Sequence, residues 1–544
     1  MKKLLLSAIC AATAILSQAA VSDYTKQWSV DINQAVKDAK SYHAALALDA
    51  NDNVIVAGAF TEDMTLAGAQ LTALGTSAYI AKYDNKGTAK WAVAITGSAT
   101  VSNIATDATG NVYVAGTFAD EVEFGTTSGT PITKTGQMID GAATVKQNSS
   151  FIAKYDADGK IVAVADFVAN KIAELNDNPM YYPEDGDIFF DISDLKVIGD
   201  KVYVSAGYTG ETKCGDTTFS ASHIVIWGFM VWTQETYSVF SLSSSDLTGC
   251  RSIATVKYNG ANGADEDSAS EVYSCKFDVA SDGTIYAAFC SVGKASLSVG
   301  ENTVIIDEAT EGPQKYTIAA IKDNALTSSF IKAWEFTATK TNDNSFGFVK
   351  AAADKIYFGG SMYTSKTENP GTAEAVTTNY QNLFIANAPV ATLEPTFVVK
   401  DVVYGVISYN SVACAAEVAL GEFLLSTLGR YNQTSADGVE PAYTNGDFAN
   451  TVRTYYFNGT EFAATAPLDK ESIAVAANGA NVAFADAADG GISVSLYNSN
   501  TSGISDIIVS DANKTGKAYN LQGIEVAPDT KGLIIIDGKK VYNK

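Results

Sequence analysis

The side chains that could perform catalysis are few in this sequence. Among 544 residues there are only two histidines, His43 and His223. A nucleophile–histidine–acid triad therefore has few candidate bases, and a zinc site built from several histidines is excluded. Asp156 and Asp158, followed by Gly159, resemble the start of a calcium loop but lack its remaining ligands, so the segment is interpreted as a turn. The sequence predicts no catalytic residue, no metal and no cofactor.

Aromatic side chains provide better candidates for binding than for catalysis. The candidate ligand-binding residues are Trp227, Trp232, Tyr237, Tyr181 and Tyr182. The first three lie in one segment, residues 223–240, and the last two lie in an acidic, turn-rich segment. Exposed Trp and Tyr would form a platform for sugar rings or a hot spot for a protein. The alternative is that residues 223–240 are buried, as an extra hairpin or as the inner strands of a distorted repeat.

Cysteines do not indicate a disulfide framework. Five follow residue 20, an odd number without clustered spacing. Cys275 and Cys290 are equidistant from the turn Asp282-Gly283, so a two-residue hairpin would place them opposite each other. They would then occupy a hydrogen-bonded pair, whose wide separation suits a disulfide poorly. A bridge and two separate buried thiols both remain open.

The charge and the N-terminus indicate an exported protein. Sixty-one acidic against 37 basic residues give a net charge of -24, which excludes nucleic acid and anionic lipid as good partners. Lys2 and Lys3, the apolar run to Ile15 and the small residues near Ala19 are typical of a signal peptide over residues 1–20. No later stretch approaches the ~20 apolar residues of a spanning helix. We expect a monomer, secreted or at the outer-membrane surface, with the periplasm also possible.

The elements that would position a site are repeats. Asp107 to Phe118, with an Asp/Gly/Asn turn followed by Val-Tyr-Val-Ala-Gly, is matched by Asp49 to Phe60. A turn of this kind leads into a strand. The two copies are 58 residues apart (111 minus 53), and repeats at such a spacing are typical of solenoids and propellers. Two repeats divide into four strands each: His43 to Leu48, Val54 to Phe60, Ala78 to Tyr83, Ala89 to Ile95, and then Ser102 to Thr106, Val112 to Phe118, Phe151 to Tyr155, Ile161 to Phe167.

Weaker copies raise the number of repeats to seven. Further second strands begin at Lys201, Thr284, Lys355, Phe423 and Asn481, and Ala254 to Tyr258 is interpreted as the third strand of the third repeat. The seventh repeat has only three strands, and Trp28 to Ile32 at the N-terminus supplies the missing one. We therefore predict an all-β, seven-bladed β-propeller over residues 21–500, closed by the N-terminal strand. Six or eight blades remain possible.

These motifs resemble the seven-bladed β-propeller repeat of bacterial secreted proteins. The resemblance lies in Asp107 to Gly116 and in Ala-Lys-Tyr-Asp at 81–84 and 153–156. It implies a fold and an envelope location, but no catalytic residue. The tail, residues 503–544, resembles the type IX secretion sorting region of Bacteroidetes through Ala518 to Val526 and Lys531 to Val541. Its alternative is a small β appendage that stabilises the ring.

The expected position of a site follows from the lengths of the links. Links between first and second strands are tight, whereas long insertions, such as 126–149, 216–250 and 364–381, mostly join second to third strands, so one face is elaborated. The inner strands are apolar except at Asp194, Lys196, Lys276, Lys350 and Glu417. We predict a non-enzymatic binding or scaffold protein with a glycan or protein ligand. The alternatives are an enzyme acting on extracellular polysaccharide and a purely structural repeat protein.

Overall fold

The computed structural model describes most of the chain, with gaps. The described residues are 24–33, 44–127, 130–135, 148–170, 188–221, 224–227, 230–260, 271–308, 315–322, 325–335, 345–352, 354–368, 376–400, 407–432, 448–463, 472–499, 508–509, 518–519, 525–526, 532–536 and 539–543. Strands are the only regular elements in these ranges, and no helix there is long and apolar enough to cross a membrane. Two compact units are present, Lys26–Tyr497 and Met1–Thr25 with Asn498–Lys544.

Forty strands follow one another along the described part of the chain. The first group is β1 (Tyr24–Asn33), β2 (Ala45–Leu48), β3 (Val54–Phe60), β4 (Met64–Leu66), β5 (Ala69–Leu71), β6 (Ser77–Tyr83), β7 (Ala89–Thr106), β8 (Val112–Thr127), β9 (Thr130–Thr135), β10 (Ser149–Tyr155) and β11 (Ile161–Asn170). The second group is β12 (Phe190–Ile198), β13 (Lys201–Tyr208), β14 (Gly210–Cys214), β15 (Thr217–Ala221), β16 (Ile224–Trp227), β17 (Met230–Thr233), β18 (Thr236–Ser243), β19 (Arg251–Tyr258), β20 (Glu271–Val279), β21 (Ile285–Val292), β22 (Ala295–Val299), β23 (Asn302–Asp307), β24 (Lys315–Lys322) and β25 (Ala325–Glu335). The third group is β26 (Ser345–Ala351), β27 (Lys355–Glu368), β28 (Val376–Pro389), β29 (Thr396–Lys400), β30 (Ile407–Ala419), β31 (Glu422–Asn432), β32 (Phe448–Phe457), β33 (Ser472–Asn478), β34 (Asn481–Ala488), β35 (Gly491–Ser499), β36 (Ile508–Val509), β37 (Ala518–Tyr519), β38 (Glu525–Val526), β39 (Gly532–Ile536) and β40 (Lys539–Asn543).

Strands of the larger unit pair in antiparallel groups that follow the chain. The orders are β2-β3-β6-β7, β7-β8-β10-β11, β12-β13-β18-β19, β20-β21-β24-β25, β26-β27-β28-β29, β30-β31-β32, and β33-β34-β35 with β1 as the fourth strand. Strand β7 is long enough, at 18 residues, to end one group and begin the next. Sheets of four meandering strands are the construction of a propeller blade, so the all-β fold is propeller-like. The strands predicted for the first two repeats are present, apart from residue 43 outside the described ranges.

The hairpins close where the sequence places Asp and Asn. Asp107 Oδ1 accepts hydrogen bonds from the backbone N–H groups of Thr109 and Asn111 at 2.9 and 3.1 Å. Its Oδ2 accepts one from the Asn111 side chain at 2.7 Å. Asp49 and Asn53 repeat this arrangement between β2 and β3. Side chains that bond their own backbone fix such turns locally, which is why these repeats could be found from the sequence.

Asp156 begins a turn of the same kind. Its Oδ1 accepts hydrogen bonds from the N–H groups of Asp158 and Lys160 at 3.0 and 2.9 Å. Gly159 has a φ of +82°, in the left-handed region that suits glycine. The segment is therefore the predicted turn.

The third repeat differs from the prediction. Its third strand is β18, which pairs residue for residue with β13, and Ala254 to Tyr258 belong to β19, the fourth strand. The interpretation of 254–258 as a third strand is wrong because Ala-Thr-Val-Lys-Tyr imitates the third-strand motif, while the true strand lies inside a segment interpreted as a loop. That segment, 216–250, also contains β15, β16 and β17.

Other inserted hairpins extend the edges of sheets. The hairpin β14–β15 adds to β11, and the hairpin β22–β23 adds to β19. Both follow a second strand, so part of what the sequence presents as long loops is ordered strand. Pairing of this kind covers backbone groups that an outer strand would otherwise expose.

The hairpin β20–β21 shows whether Cys275 and Cys290 lie opposite each other. Its turn closes with the N–H of Ala280 on the carbonyl of Thr284, at 2.8 Å, so it is longer than a two-residue turn. The register is shifted by one residue, and Cys275 lies opposite Phe289 while Cys290 lies opposite Ser274. A shift of one residue reverses the face of every side chain. Cys275 and Cys290 therefore enter different core clusters as separate buried thiols.

The hydrophobic core lies between neighbouring sheets. Phe167 of β11 stacks on Phe190 of β12, with ring centroids 4.6 Å apart. Trp28 of β1 covers Gly87, where an added Cβ would lie 2.9 Å from the indole Cγ. These side-chain contacts add to the backbone pairing that joins some neighbouring groups, such as β14 with β11 and β22 with β19. In the smaller unit, β36 to β40 form one sheet in the order β36-β40-β39-β37-β38.

Candidate functional site

Seven inner strands line one cavity of the larger unit. The strands are β2, β7, β12, β20, β26, β30 and β33, one from each of the strand groups described above. The lining residues are 46–48, 103–106, 194–198, 276, 278–279, 347–351, 413–417 and 475–479, together with Phe423. The cavity has a volume of about 680 Å³, in the range of about 300–1,000 Å³ that is usual for ligand pockets.

A β-bulge occurs near the same point in six of these strands. The register shifts fall at 101/103, 192/194, 272/274, 346/348, 412/414 and 472/474. A bulge bends its strand and redirects the side chains that follow. The residues after each bulge are those that line the cavity. Gly347 occupies one bulge, where an added Cβ would lie 2.5 Å from Val412 of the next inner strand.

Hydrogen bonds join most of the inner strands to their neighbours. The Thr106 hydroxyl donates to the Leu48 carbonyl at 3.2 Å, and Asn103 Nδ2 donates to the Ile192 carbonyl at 3.1 Å. Further bonds run from Ser193 Oγ to the Cys275 carbonyl (2.9 Å), from Phe346 N to Ser274 Oγ (3.4 Å), from Val475 N to Cys414 Sγ (3.2 Å) and from Asn478 Nδ2 to Asp52 Oδ1 (2.8 Å). The walls of the cavity are therefore held by fixed bonds.

Charged residues of both signs converge in the cavity. Lys350 Nζ lies 3.8 Å from Asp278 Oδ2 and 3.9 Å from Glu417 Oε2, so it joins three inner strands. Asp278 is buried, and its Oδ2 also accepts a hydrogen bond from the Ala351 N–H at 2.9 Å. The Lys350 side chain, by contrast, is 42% exposed. The ammonium group of Lys350 is therefore accessible to a ligand in the cavity. The Asp278 carboxylate holds this ammonium group in place.

A second ion pair lies on β12. Lys196 Nζ is 3.8 Å from Asp194 Oδ1. The Asp194 carboxylate raises the pKa of Lys196, burial opposes this, and Asp278 adds to the increase. Lys276 donates to the carbonyl of Ser193. The cavity thus presents three ammonium groups and three carboxylates, a balanced set of hydrogen-bond donors and acceptors.

A second group of side chains lies at the beginning of β12. Asp191, Gly207 and Tyr237 occupy one row across the strands β12, β13 and β18. An added Cβ at Gly207 would lie 2.6 Å from the Tyr237 ring, so glycine lets the ring cross the middle strand. The Tyr237 hydroxyl donates a hydrogen bond of 2.6 Å to Glu235 Oε2.

The carboxyl groups of this set are shifted towards their protonated form. Burial raises the pKa of Glu235, the Tyr237 hydrogen bond opposes the increase, and Glu271 and Asp191 add to it. Desolvation by the surrounding protein also raises the pKa of Asp191, although its side chain is exposed, and Lys276 opposes this. A carboxyl group with a raised pKa can serve as a general acid near neutral pH.

The described members of the aromatic set predicted to bind ligand lie on three different strands. Tyr237 is half-buried in β18 and bonded to Glu235. Trp227 and Trp232 belong to the hairpin β16–β17, opposite Met230 and Val225. Tyr181 and Tyr182 lie outside the described residues, as do His43 and His223. The ligand-binding role of these aromatic residues stays a prediction.

Sequence reasoning identified five of the charged cavity residues and missed three important acids. Asp278 follows Lys276 at the alternate position of the same strand, so reading that strand to its end would have found it. Asp191 carries no such signal, because only the register of three strands brings it beside Tyr237. Glu235 is two residues before Tyr237 in the sequence, but the burial that raises its pKa is not visible there. Within the described ranges, no three His, Cys, Asp or Glu residues form a group that could hold a metal ion.

Comparisons with known proteins identify no family. No family model matches the chain, and no curated protein matches it. Among solved structures, a protein of unknown function from Dyadobacter fermentans is 8% identical, with a TM-score of 0.36, covering 88% of this chain and 100% of that one. The alpha-L-arabinanase of Penicillium chrysogenum, complexed with arabinobiose, is 8% identical, with a TM-score of 0.33, covering 88% and 98%.

One prediction must be corrected at this point. The sequence predicts a protein that is not an enzyme, and this prediction is wrong, because one of the similar structures is an enzyme. The scarcity of histidine does not exclude an enzyme, since carboxyl chemistry needs none. The likeness itself assigns no activity to this chain.

Proposed function

We propose that the chain is an exported, seven-bladed β-propeller that binds a glycan in its axial cavity. The observation that carries this proposal is the convergence of three ammonium groups and three carboxylates where seven inner strands line one cavity. Ligand sites are commonly concave, with a few polar groups placed on a rigid scaffold. The leader over residues 1–20 and the tail over residues 503–544 support export, as the sequence predicts.

Two observations support a closed ring of seven blades. Strand β1 pairs with β35 as the fourth strand of the last group, so the beginning and the end of the larger unit share one sheet. The Asn478 side chain at the end of β33 bonds the Asp49 carbonyl and the Asp52 carboxylate beside β2. A ring closed in this way leaves few exposed edges.

The balance of charges favours a neutral, hydroxyl-rich ligand. Sugar hydroxyls both donate and accept hydrogen bonds, so they can bond ammonium groups and carboxylates that line the same cavity. A strongly anionic ligand would meet Asp194, Asp278 and Glu417 as well as the net charge of -24. The small apolar residues between the charged ones, such as Ala415 and Ala476, leave space for the sugar rings.

A second candidate function is cleavage of that glycan. The observation in its favour is the raised pKa of Glu235 and Asp191. Glycoside hydrolysis uses one protonated carboxyl group to donate a proton to the leaving oxygen and a second carboxylate as base or nucleophile. In this candidate mechanism Glu235, positioned by Tyr237, is the acid and Asp191 the second carboxyl group.

A glycan and mucin array probed with the mature protein tests both functions when released sugar is measured beside binding. We expect at least one glycan to bind, and Lys350→Ala and Glu417→Gln to weaken binding by about tenfold or more, since each removes a charge-assisted hydrogen bond. Lys90→Ala is the matched control, because Lys90 forms an exposed ion pair with Asp84 outside the cavity.

The outcomes distinguish the two candidates. Release of sugar that is lost in Glu235→Gln, with binding kept, would support the enzyme. Binding that the cavity variants leave unchanged would contradict the cavity as the site. If no glycan binds, the proposal fails and a protein ligand or a structural role becomes the better hypothesis.

A further inference from the structure

We propose that Cys214 and Cys250 form a disulfide in the exported protein. Both side chains are buried, at 4% and 7% exposure, and both belong to the same core cluster as Phe219 and Leu247. No sequence pattern pairs them, since 36 positions separate them and they share no motif.

The hairpin β14–β15 brings the two residues together. Cys214 pairs directly with Thr217, and residues directly opposite each other in a hairpin have their side chains on the same face. The Thr217 hydroxyl donates a hydrogen bond of 2.9 Å to the backbone carbonyl of Cys250. On that same face the thiols of Cys214 and Cys250 are themselves hydrogen-bonded. Thr217, the cross-strand partner of Cys214, therefore bonds the backbone of Cys250, and both cysteine side chains lie in the same core cluster.

Other cysteines of the described chain are not arranged in this way. Cys275 and Cys290 lie in different core clusters. Cys414 Sγ accepts a hydrogen bond from the Val475 N–H at 3.2 Å, on another pair of strands. These three residues are expected to remain thiols, which explains how an odd number of cysteines is compatible with one bridge.

The chemistry is exchange with a disulfide of another molecule outside the cytoplasm. A thiolate of one cysteine attacks that disulfide, forms a mixed disulfide and releases one thiol. The thiolate of the second cysteine then attacks the mixed disulfide, forms the Cys214–Cys250 bond and releases the second thiol. Two protons leave this protein and two electrons reduce the other molecule. Contact with Cys214 and burial raise the pKa of the Cys250 thiol in the folded chain, so the bond should form during folding, before burial.

The bridge would close a loop that contains three of the aromatic residues predicted to bind ligand. Residues 215–249 include the hairpin β16–β17 with Trp227 and Trp232, and also β18 with Tyr237. A crosslink between β14 and the start of β19 would hold both ends of residues 215–249 in the core. It would also reduce the conformational entropy of this segment in the unfolded chain.

The test traps thiols in the full chain after production in two compartments. The chain is directed either to the bacterial periplasm or to the cytoplasm, denatured in iodoacetamide without reductant, digested, and analysed by mass spectrometry. We expect the periplasmic protein to yield a peptide pair linked through Cys214 and Cys250, with Cys275, Cys290 and Cys414 alkylated. The cytoplasmic protein should be alkylated at all five positions.

Variants provide matched controls. Cys214→Ser should make Cys250 fully alkylated in the periplasmic protein, whereas Cys414→Ser should leave the linked peptide unchanged. Alkylation of both Cys214 and Cys250 in the periplasmic wild-type protein would overturn the proposal. A linked peptide that joins either residue to another cysteine would overturn it as well, and the wild-type result does not depend on any variant folding.

Discussion

The indole Nε1 of Trp91 donates a hydrogen bond of 3.0 Å to the backbone carbonyl of Ala157, on the next sheet. The same indole covers Gly159, where an added Cβ would lie 2.6 Å from Cδ2. Trp28 and Gly87 repeat this contact between another pair of sheets. A tryptophan on an outer strand thus fits the glycine turn of the following repeat, which explains why both residue types recur at fixed places in the sequence.

Gly159→Ala should destabilise the protein more than an equivalent change at an open glycine. The new methyl group would have to displace the Trp91 ring, and alanine would also adopt a φ of +82°. We expect the free energy of unfolding to fall by about 2–4 kcal/mol, the sum of overpacking and left-handed backbone strain. Gly283→Ala is the control, because its φ of +84° is similar but nothing lies within 4 Å. Urea unfolding of both variants measures the difference, and equal losses would contradict the contact.

Lys82→Met should cost about 3 kcal/mol, since it leaves the carboxylate of Asp49 buried without its cation. Lys82 Nζ lies 2.9 Å from Asp49 Oδ2 and 3.3 Å from the Gly110 carbonyl of the next repeat, and both charged side chains are buried. Lys90→Met, which removes an exposed pair, should cost less than about 1 kcal/mol. A similar midpoint of urea unfolding for the two variants would show that the buried ion pair contributes little.

The Lys82–Asp49 ion pair should make the stability of the protein depend on pH in the acidic range. Burial by itself raises the pKa of Asp49, but hydrogen bonds from Asn53, Lys82 and the backbone N–H groups of Asn51 and Asn53 lower it on balance. A lowered carboxyl pKa stabilises the fold above the unfolded value of about 3.9, and the contribution is lost as the pH falls through the folded value. In Lys82→Met the loss of stability on acidification should begin at a higher pH, because Asp49 then lacks the Lys82 hydrogen bond that lowers its pKa. Thermal unfolding from pH 7 to pH 2 measures it, and superimposable curves would contradict the assignment.

Glu235→Gln should stabilise the protein at neutral pH, by about 1 kcal/mol or less. The folded pKa of Glu235 is raised, so ionisation of this carboxyl group destabilises the fold once the pH rises above the unfolded value of about 4.3. The advantage of glutamine should therefore appear above that pH and be absent below it. Glu121→Gln, at an exposed position, is the control. A variant less stable than wild type at pH 7 would show that the Tyr237 hydrogen bond outweighs the desolvation.

Trp227→Ala with Trp232→Ala should weaken glycan binding if the predicted aromatic platform exists. The two residues lie on the separate two-stranded hairpin β16–β17, so we expect a loss of about tenfold in affinity with little change in the unfolding midpoint. Circular dichroism confirms that the variant is folded. Unfolding of the variant at a clearly lower temperature would instead favour the interpretation of these residues as packing groups.

Local sequence patterns were enough to predict the strand order of the first two repeats, the position of the tight turns and the apolar nature of the inner strands. These features are local, because Asp107 and Asn111 bond their own backbone and Gly159 adopts its φ within one turn. The charged residues Lys196, Lys276, Lys350 and Glu417 could also be recognised, since each interrupts an apolar inner strand.

Features that depend on strand register and on burial could be seen only in the folded chain. Turn length shifted the β20–β21 pairing by one residue and separated Cys275 from Cys290, while an inserted hairpin brought Cys214 to Cys250. Bulges turned the inner strands so that their charges meet in one cavity, and the row of Asp191, Gly207 and Tyr237 placed Glu235 where its pKa rises. Hydrogen-bond register and desolvation arise from residues far apart in the chain, and local patterns therefore do not contain them.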